Sequence, residues 1–340
     1  MIEIVVGKNE SGQRLDRVLE KIFVNANTGF IFKMLRKKNI TLNDKKADGK
    51  ERLEPGASIK LWFSDESFEK LSGKKAINIK DIEVKPKADK KSIEAFKSYI
   101  VYEDENTVII NKPAGLLSQK SNENDISVND LLLEYLEFDS KALNTFKPSI
   151  CNRLDRNTSG LMVCGKTLEG LRVNNELIKT KAVSKFYLAL VKGRVEKTGS
   201  INAWLYKDEK TNKVTVKDKP FEGADFIQTE YEVIDYFKDA TLLLVKLITG
   251  KTHQIRAHLS SISHPIIGDF KYGEKSVNEK FKREYGIKSQ LLHSFRLVYP
   301  NSDISDTDTF KALKGKCFEA SYNNDFRKVI GDGYLENKRP

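Results

Sequence analysis

A single carboxylate, Asp155, stands between Arg153 and Arg156 in the stretch Asn152-Arg153-Leu154-Asp155-Arg156-Asn157-Thr158-Ser159-Gly160. Arginine keeps its charge at any physiological pH, so Asp155 is expected to be ionised and held by charge-assisted hydrogen bonds. A nucleophilic carboxylate needs that setting: ionised, oriented and partly shielded from water. Taken alone, Arg-Leu-Asp-Arg also fits a surface ion pair worth ~0–1 kcal/mol. Apolar Ile150 and Leu154 precede the turn and Leu161-Met162-Val163-Cys164 follows it. The pattern predicts strand, turn, strand, with the acid at the join.

Two later blocks carry further candidates. In Lys185-Phe186-Tyr187-Leu188-Ala189-Leu190-Val191-Lys192-Gly193, alternation predicts a strand over 182–191, with Phe186, Leu188 and Leu190 on one side and Lys185, Tyr187, Ala189 and Val191 on the other. A strand tyrosine is ordinarily a core or rim filler, and the small Ala189 beside Tyr187 leaves room for a planar ligand. Farther on, Gly250-Lys251-Thr252 follows a strong strand candidate over 242–248. A phosphate-binding loop would need glycine five positions before Gly250, where Val245 stands, so that reading fails. A turn and a helix over 252–259 fit better, with Ile255, Leu259 and Ile262 as the buried face and Arg256 on it. His253 and His258 are five apart with no accompanying carboxylate, which argues against a zinc-protease pair.

The elements that must position these residues are readable in outline. At 340 residues, 39% hydrophobic and 31% charged, the chain is long enough for more than one domain. No apolar run approaches ~18 residues, so no membrane span is expected, and the N-terminus suggests no export signal. Cys151, Cys164 and Cys317 are odd in number and form no C-x-x-C pair, which supports neither a disulfide framework nor a thiolate zinc site and points to a reducing cytoplasm. A net charge of +11 suggests a polyanionic partner.

Near the N-terminus, a short strand over 2–6 precedes a helix carrying Leu15, Val18, Leu19, Ile22 and Phe23 on one face. A second helix, with Thr28 as its cap, has apolar Phe30, Ile31, Met34 and Leu35. Strands follow around Ile40–Leu42 and Ile59–Phe63. Lys33, Arg36, Lys37, Lys38, Lys45 and Lys46 cluster here and, with Arg14, are candidates for a surface that binds the phosphates of a nucleic acid. Residues 64–97 are charge-mixed and weakly periodic, which reads as a linker with one loose segment around Ile77-Asn78-Ile79. A hairpin opens the next domain near Tyr99 and ends in Asn111-Lys112-Pro113-Ala114-Gly115. Lys112 is assigned mainly to scaffolding, with a phosphate contact as the alternative. A helix is expected from about Thr167, the turn Asp208–Asn212 is read as mobile, and residues 301–340 are polar and irregular.

The stretch around Asp155 resembles the R-L-D-x-x-T-S-G signature of the RluA-type pseudouridine synthases. Asn111-Lys112-Pro113, the K-x-Y-x-A block at Lys185–Ala189, and Thr249-Gly250-Lys251-Thr252-His253-Gln254-Ile255-Arg256-Ala257-His258-Leu259 are similar to further motifs of that family in the same order. His264–Asp269, Tyr272-Gly273 and Leu291-Leu292-His293 fit it too. Gly268-Asp269 is read there as turn chemistry. Arg14-Leu15-Asp16, Leu35–Ile40, Leu42-Asn43 and Leu53-x-Pro55-Gly56 resemble the small RNA-binding domain named after ribosomal protein S-four, as in RluC- and RluD-like members.

The resemblance implies an α+β fold. A catalytic domain would lie on a long mixed, largely antiparallel sheet with flanking helices and a central cleft, after a small N-terminal α/β RNA-binding domain. The expected divisions are 1–63, a linker over 64–97, a catalytic domain over 98–300 and an extension over 301–340. It implies isomerisation of uridine to pseudouridine in RNA without cofactor or metal. Asp155 would be catalytic, Arg256 its partner and Tyr187 a neighbour of the base, with Arg153 and Leu292 lining the pocket. Large-subunit ribosomal RNA is the expected substrate, with tRNA, or a catalytically silent RNA-binding assembly factor, as alternatives. Neither a membrane nor an obligate protein partner is expected. One departure stands out: the family usually has His where this chain has Asn152, which cannot titrate near neutrality.

Overall fold

The computed structural model describes residues 1–7, 10–73, 90–138, 146–208 and 213–334. Ile77-Asn78-Ile79, most of the Asp208–Asn212 turn and residues 335–340 lie outside them.

The N-terminal residues build β1 (Ile2–Val5), α1 (Leu15–Ile22), α2 (Thr28–Arg36), β2 (Ile40–Leu42), β3 (Lys45–Lys46), β4 (Ser58–Leu61) and α3 (Asp65–Ser72). The four strands form one sheet in the order β1-β4-β2-β3, and each pairing is antiparallel. Leu15, Val18, Leu19 and Ile22 face it from α1 as the helical spacing predicts, joined by Ile31, Leu35, Ile40, Ile59 and Leu61. The cap of α2 is Asn27 rather than Thr28. Its side-chain oxygen accepts from the Phe30 amide at 2.8 Å, supplying one of the unpaired donors at the helix start. α3 falls inside the stretch read as linker. It forms because Ser64 caps it and because Phe68 reaches a distant partner, the Phe23 ring 6.0 Å away.

The second body runs through α4 (Lys90–Tyr99), β5 (Ile100–Glu103), β6 (Thr107–Lys112), α5 (Val128–Tyr135), β7 (Ser149–Ile150), β8 (Ser159–Gly165), α6 (Leu168–Lys179) and β9 (Ser184–Lys192). It continues with β10 (Gly199–Asp208), β11 (Lys213–Lys217), β12 (Asp225–Phe237), β13 (Ala240–Leu247), α7 (Gln254–Ser261), α8 (Lys275–Tyr285), β14 (Leu292–Val298), α9 (Asp308–Leu313), β15 (Cys317–Glu319) and α10 (Asn324–Ile330). An 11-stranded sheet runs β11-β10-β12-β13-β9-β14-β8-β6-β5, with β15 on β14 and β7 on β8. Every pairing is antiparallel except β14 with β8, so the sheet is mixed and the fold α+β, as expected.

Both sides of the sheet are covered, which explains why β8 is buried at every residue. On one face Tyr187, Ala189, Met162, Cys164 and Val245 meet Ile255 and Leu259 of α7. On the other, Leu188 and Leu190 meet Phe281 of α8 and Phe326 of α10. The alternation read from 185–191 is therefore real, but neither side of β9 is solvent. Residues 301–334, which carry little periodicity, are ordered by the sheet itself: β15 extends it, and Phe310, Leu313 and Phe318 pack against Leu297 and Tyr299. Among the described residues no helix is long and apolar enough to cross a membrane.

Candidate active site

Asp155 occupies the turn between β7 and β8, and that turn is tied down from several directions. Lys112, at the end of β6, is fully buried and donates its three Nζ hydrogens to the carbonyls of Leu116 (2.8 Å), Pro113 (2.9 Å) and Arg156 (3.0 Å). Burial pulls this ammonium down to about 7, with the charge of Asp155 acting the other way. The geometry supports the scaffolding assignment and leaves Lys112 no free donor for a phosphate. Ser118 Oγ accepts from the Leu154 amide and donates to the Leu154 carbonyl, and the Gly115 amide donates to the Arg156 carbonyl. Asn152 also works in the scaffold: its Oδ1 accepts from the Val163 amide at 2.8 Å. Behind the turn, Gly160 has φ 110° and lies so close to β14 that a Cβ would sit 2.2 Å from the Ser294 carbonyl oxygen. Only glycine allows that approach.

Arg256 arrives from α7, 101 residues along the chain, and its Nη1 donates to Asp155 Oδ2 at 2.7 Å. The remaining edge of the guanidinium forks onto Asp269, with Nε to Oδ2 at 2.7 Å and Nη2 to Oδ1 at 2.9 Å. Arg256 and Asp269 are buried, whereas the Asp155 side chain keeps 27% exposure. One arginine thus bridges a buried carboxylate and an accessible one. Burial works against charge on Arg256, but the bonds to Asp269 and then to Asp155 outweigh it and hold the guanidinium above its usual pKa. Burial likewise opposes ionisation of Asp269, and Arg256 with the amides of Lys271 and Tyr272 reverses this, lowering its pKa.

His253 stands at the start of α7 with a left-handed φ of 56°. Its Nδ1 is 2.9 Å from the Tyr272 hydroxyl, and its Nε2 is 3.9 Å from Asp155 Oδ2. Tyr272 Oη also accepts from the Val214 amide, which fixes the phenol against His253. Burial lowers the His253 pKa against the opposing pull of Asp155. The Arg256 guanidinium also lies 5.1 Å from the centre of the Tyr272 ring.

Tyr187, on β9, is 6% exposed and stands opposite Ser294 of β14. Burial pushes its phenol up to about 12, and the nearby Asp155 charge adds to the shift. Leu292 belongs to the same apolar cluster as Tyr187 and Ile255. Arg153 is exposed on the turn. The fold thus gathers Asp155, Arg256, Tyr187 and Leu292, and adds His253, Asp269 and Tyr272. From the sequence alone Asp269 reads as turn chemistry. The one available signal was an acid directly after the apolar run Ile266-Ile267-Gly268.

The N-terminal candidates lie apart from this site in sequence and in their own sheet. Arg14 forks onto Asp16, with Nη2 to Oδ2 at 2.7 Å and Nε to Oδ1 at 3.1 Å, so its charge is already engaged. Lys33, Arg36, Lys37, Lys38, Lys45 and Lys46 are exposed and make no ion pair with another described residue. Among the described residues no group of three or more His, Cys, Asp and Glu side chains is placed to hold a metal ion.

Comparison with known proteins identifies the family. Residues 106–261 match the family model described as RNA pseudouridylate synthase. An uncharacterized RNA pseudouridine synthase of Mycoplasma genitalium is 33% identical, over 89% of this chain and 90% of the relative. The ribosomal large subunit pseudouridine synthase D of Nitrosomonas europaea is 30% identical over 88% and 81%, and synthase C of Vibrio cholerae is 28% identical over 88% and 90%. Among solved structures, human RNA pseudouridylate synthase domain containing 4 shares the fold, with a TM-score of 0.55 and 22% identity over 70% of this chain and 95% of that one.

Proposed function

The chain belongs to the RluA-type family of RNA pseudouridine synthases and is an RNA-modifying isomerase; we propose that Asp155 is its catalytic carboxylate and that its target uridines lie in large-subunit ribosomal RNA. The observation that carries the first part is the Arg256 bridge, which holds Asp155 oriented while leaving it 27% exposed.

In the proposed reaction the C1′–N1 bond of uridine breaks, the uracil turns, and C5 bonds to C1′. The C5 proton is lost and N1 regains one, so the product is an isomer and no electrons are exchanged. Asp155 acts at the ribose, either by attack on C1′ or by removal of the 2′ proton. Arg256 keeps the carboxylate aimed. Tyr187 and Leu292 supply the apolar wall against the base. A phenol pushed up to about 12 stays protonated at neutral pH, so Tyr187 serves as a packing ring and hydrogen-bond donor more readily than as the base for C5. A uridine within structured RNA must leave its stack, at a cost of a few kcal/mol, and phosphate contacts on the exposed N-terminal cations would offset it.

The substrate assignment is supported by the Nitrosomonas europaea and Vibrio cholerae relatives, which are named as ribosomal large subunit pseudouridine synthases. Tritium release from uridine labelled at C5 tests both parts, with unmodified large-subunit ribosomal RNA and bulk tRNA in parallel and Asp155→Asn as control. Release from ribosomal RNA alone, abolished in the variant, is the expected result. Release from tRNA alone would overturn the substrate, and release by Asp155→Asn would overturn the carboxylate.

A further inference from the structure

The chain has two tryptophans, Trp62 and Trp204. Trp62 directly follows β4, where burial alternates: Ile59 and Leu61 enter the core, while Ser58, Lys60 and Trp62 face outward. The indole-bearing residue is 52% exposed. Its amide donates to the Asn39 carbonyl at 2.8 Å, placing it beside the Lys37-Lys38-Asn39 turn that ends α2. That turn is fixed by a left-handed Lys38, φ 58°, and by the Asn39 amide bonding back to Met34. Register puts Lys46 on the same outer face, since Lys60 pairs with Thr41 and Thr41 with Lys46.

Two properties mark this corner. Some lysines elsewhere on the surface have acidic partners, as in Lys70 with Glu66, Lys251 with Asp225 and Lys280 with Asp239. Lys33, Arg36, Lys37, Lys38, Lys45 and Lys46 have none among the described residues, so a bound anion would relieve their mutual repulsion. The indole, too, is half open: among the described residues it makes no ring–ring or cation–π contact. One exposed hydrophobe is unremarkable. An exposed indole bordered by unpaired cations offers a base a stacking surface and its flanking phosphates a counter-charge.

We propose that Trp62 is a base-stacking platform of the N-terminal unit, which takes an unpaired nucleotide of the RNA while the phosphates on either side lie on Lys37, Lys38 and their neighbours. This rests on the reading of the basic surface as an RNA site and adds a preference to it. A base inside a helix has no free face, so the unit selects loops, bulges or single strands over duplex.

The test uses the full chain carrying Trp204→Phe, which leaves Trp62 as the one indole. Single-stranded oligouridylate is titrated against its fluorescence, with a blunt RNA duplex of equal length as the second probe. Oligouridylate quenches the emission and the duplex does not. Trp62→Ala, exposed enough to fold normally, weakens oligouridylate binding roughly 5- to 100-fold with the salt dependence unchanged, and Trp62→Phe recovers most of the loss. Lys37→Gln with Lys38→Gln instead reduces the slope of log K against log salt by about 1.4. Unchanged emission and unchanged affinity of Trp62→Ala, with the lysine effect intact, would overturn the platform and leave the basic surface standing. Loss of the lysine effect as well would overturn both.

Discussion

Asp269→Asn separates the two carboxylates that Arg256 joins. The substitution keeps the shape of the side chain, removes its charge, and replaces one acceptor oxygen with an NH2 group facing a guanidinium donor. Two bonds between charged partners, at 2.7 and 2.9 Å, become one bond from the guanidinium to a neutral amide oxygen and one donor–donor clash. Arg256 is 8% and Asp269 1% exposed, so water cannot substitute freely. Breaking one side of a buried pair costs about 3–5 kcal/mol. For a body of this size that lowers the melting temperature by about 6–20 °C. The surviving Arg256 contact is with Asp155, so the guanidinium is drawn toward the cleft and its aim degrades. A misplacement on the order of 1 Å can cost about a hundredfold in rate, so single-turnover tritium release falls by about 10- to 100-fold. Asp155→Asn should behave in the opposite way: the Arg256–Asp269 fork survives, stability stays close to that of the parent, and turnover is abolished. The reasoning is refuted if Asp269→Asn melts within about 0.5 kcal/mol of the parent and turns over at the parental rate.

Three further outcomes are expected. Lys112→Met strands three carbonyl acceptors and costs about 3 kcal/mol or more in denaturant unfolding; a smaller salt slope for RNA binding at unchanged stability would instead identify Lys112 as a phosphate ligand. Gly160→Ala pairs a strained φ of 110° with a Cβ 2.2 Å from the Ser294 carbonyl, so it loses more than about 4 kcal/mol; near-parental melting would show that β8 and β14 can part there. His258 and His293 are buried and pushed down to about 4, against an ordinary value of 6.5. The unfolded chain therefore binds more protons between those values. Stability is complete above about pH 6.5, falls by about 3 kcal/mol per histidine at most as pH drops toward 4, and levels off below. A urea midpoint that stays flat across that window would contradict the buried neutral assignment.

His293 shows why tertiary context was needed for such a statement. As part of Leu291-Leu292-His293 it is only a motif match. In the fold its Nε2 lies 3.2 Å from the Ala320 carbonyl and its Nδ1 2.8 Å from Ser159 Oγ, which assigns a neutral ring with the proton on Nε2. Neither partner lies near it in the chain.

Features with local causes were legible from the amino-acid order alone. The apolar face of α1, the start of α6 at Thr167, the alternation along β9 and the acid presented at a strand-to-strand turn each depend on neighbours a few residues away. The family resemblance then singled out Asp155, Tyr187 and Arg256, and the chain's membership was readable before any contact was known. Tertiary structure decided what required distant residues to meet. Asp269 resembles turn chemistry until Arg256, 13 residues earlier, is seen to grip it. Lys112 could equally have faced a phosphate until three carbonyls from two loops enclosed it. α3 and residues 301–334 have weak local patterns, and they are ordered by Phe23 and by the open side of β14. Periodicity reports which side of an element is buried, but not which partner a buried charge finds. That choice depends on the packing of the whole fold, where an unpaired buried charge is too costly to persist.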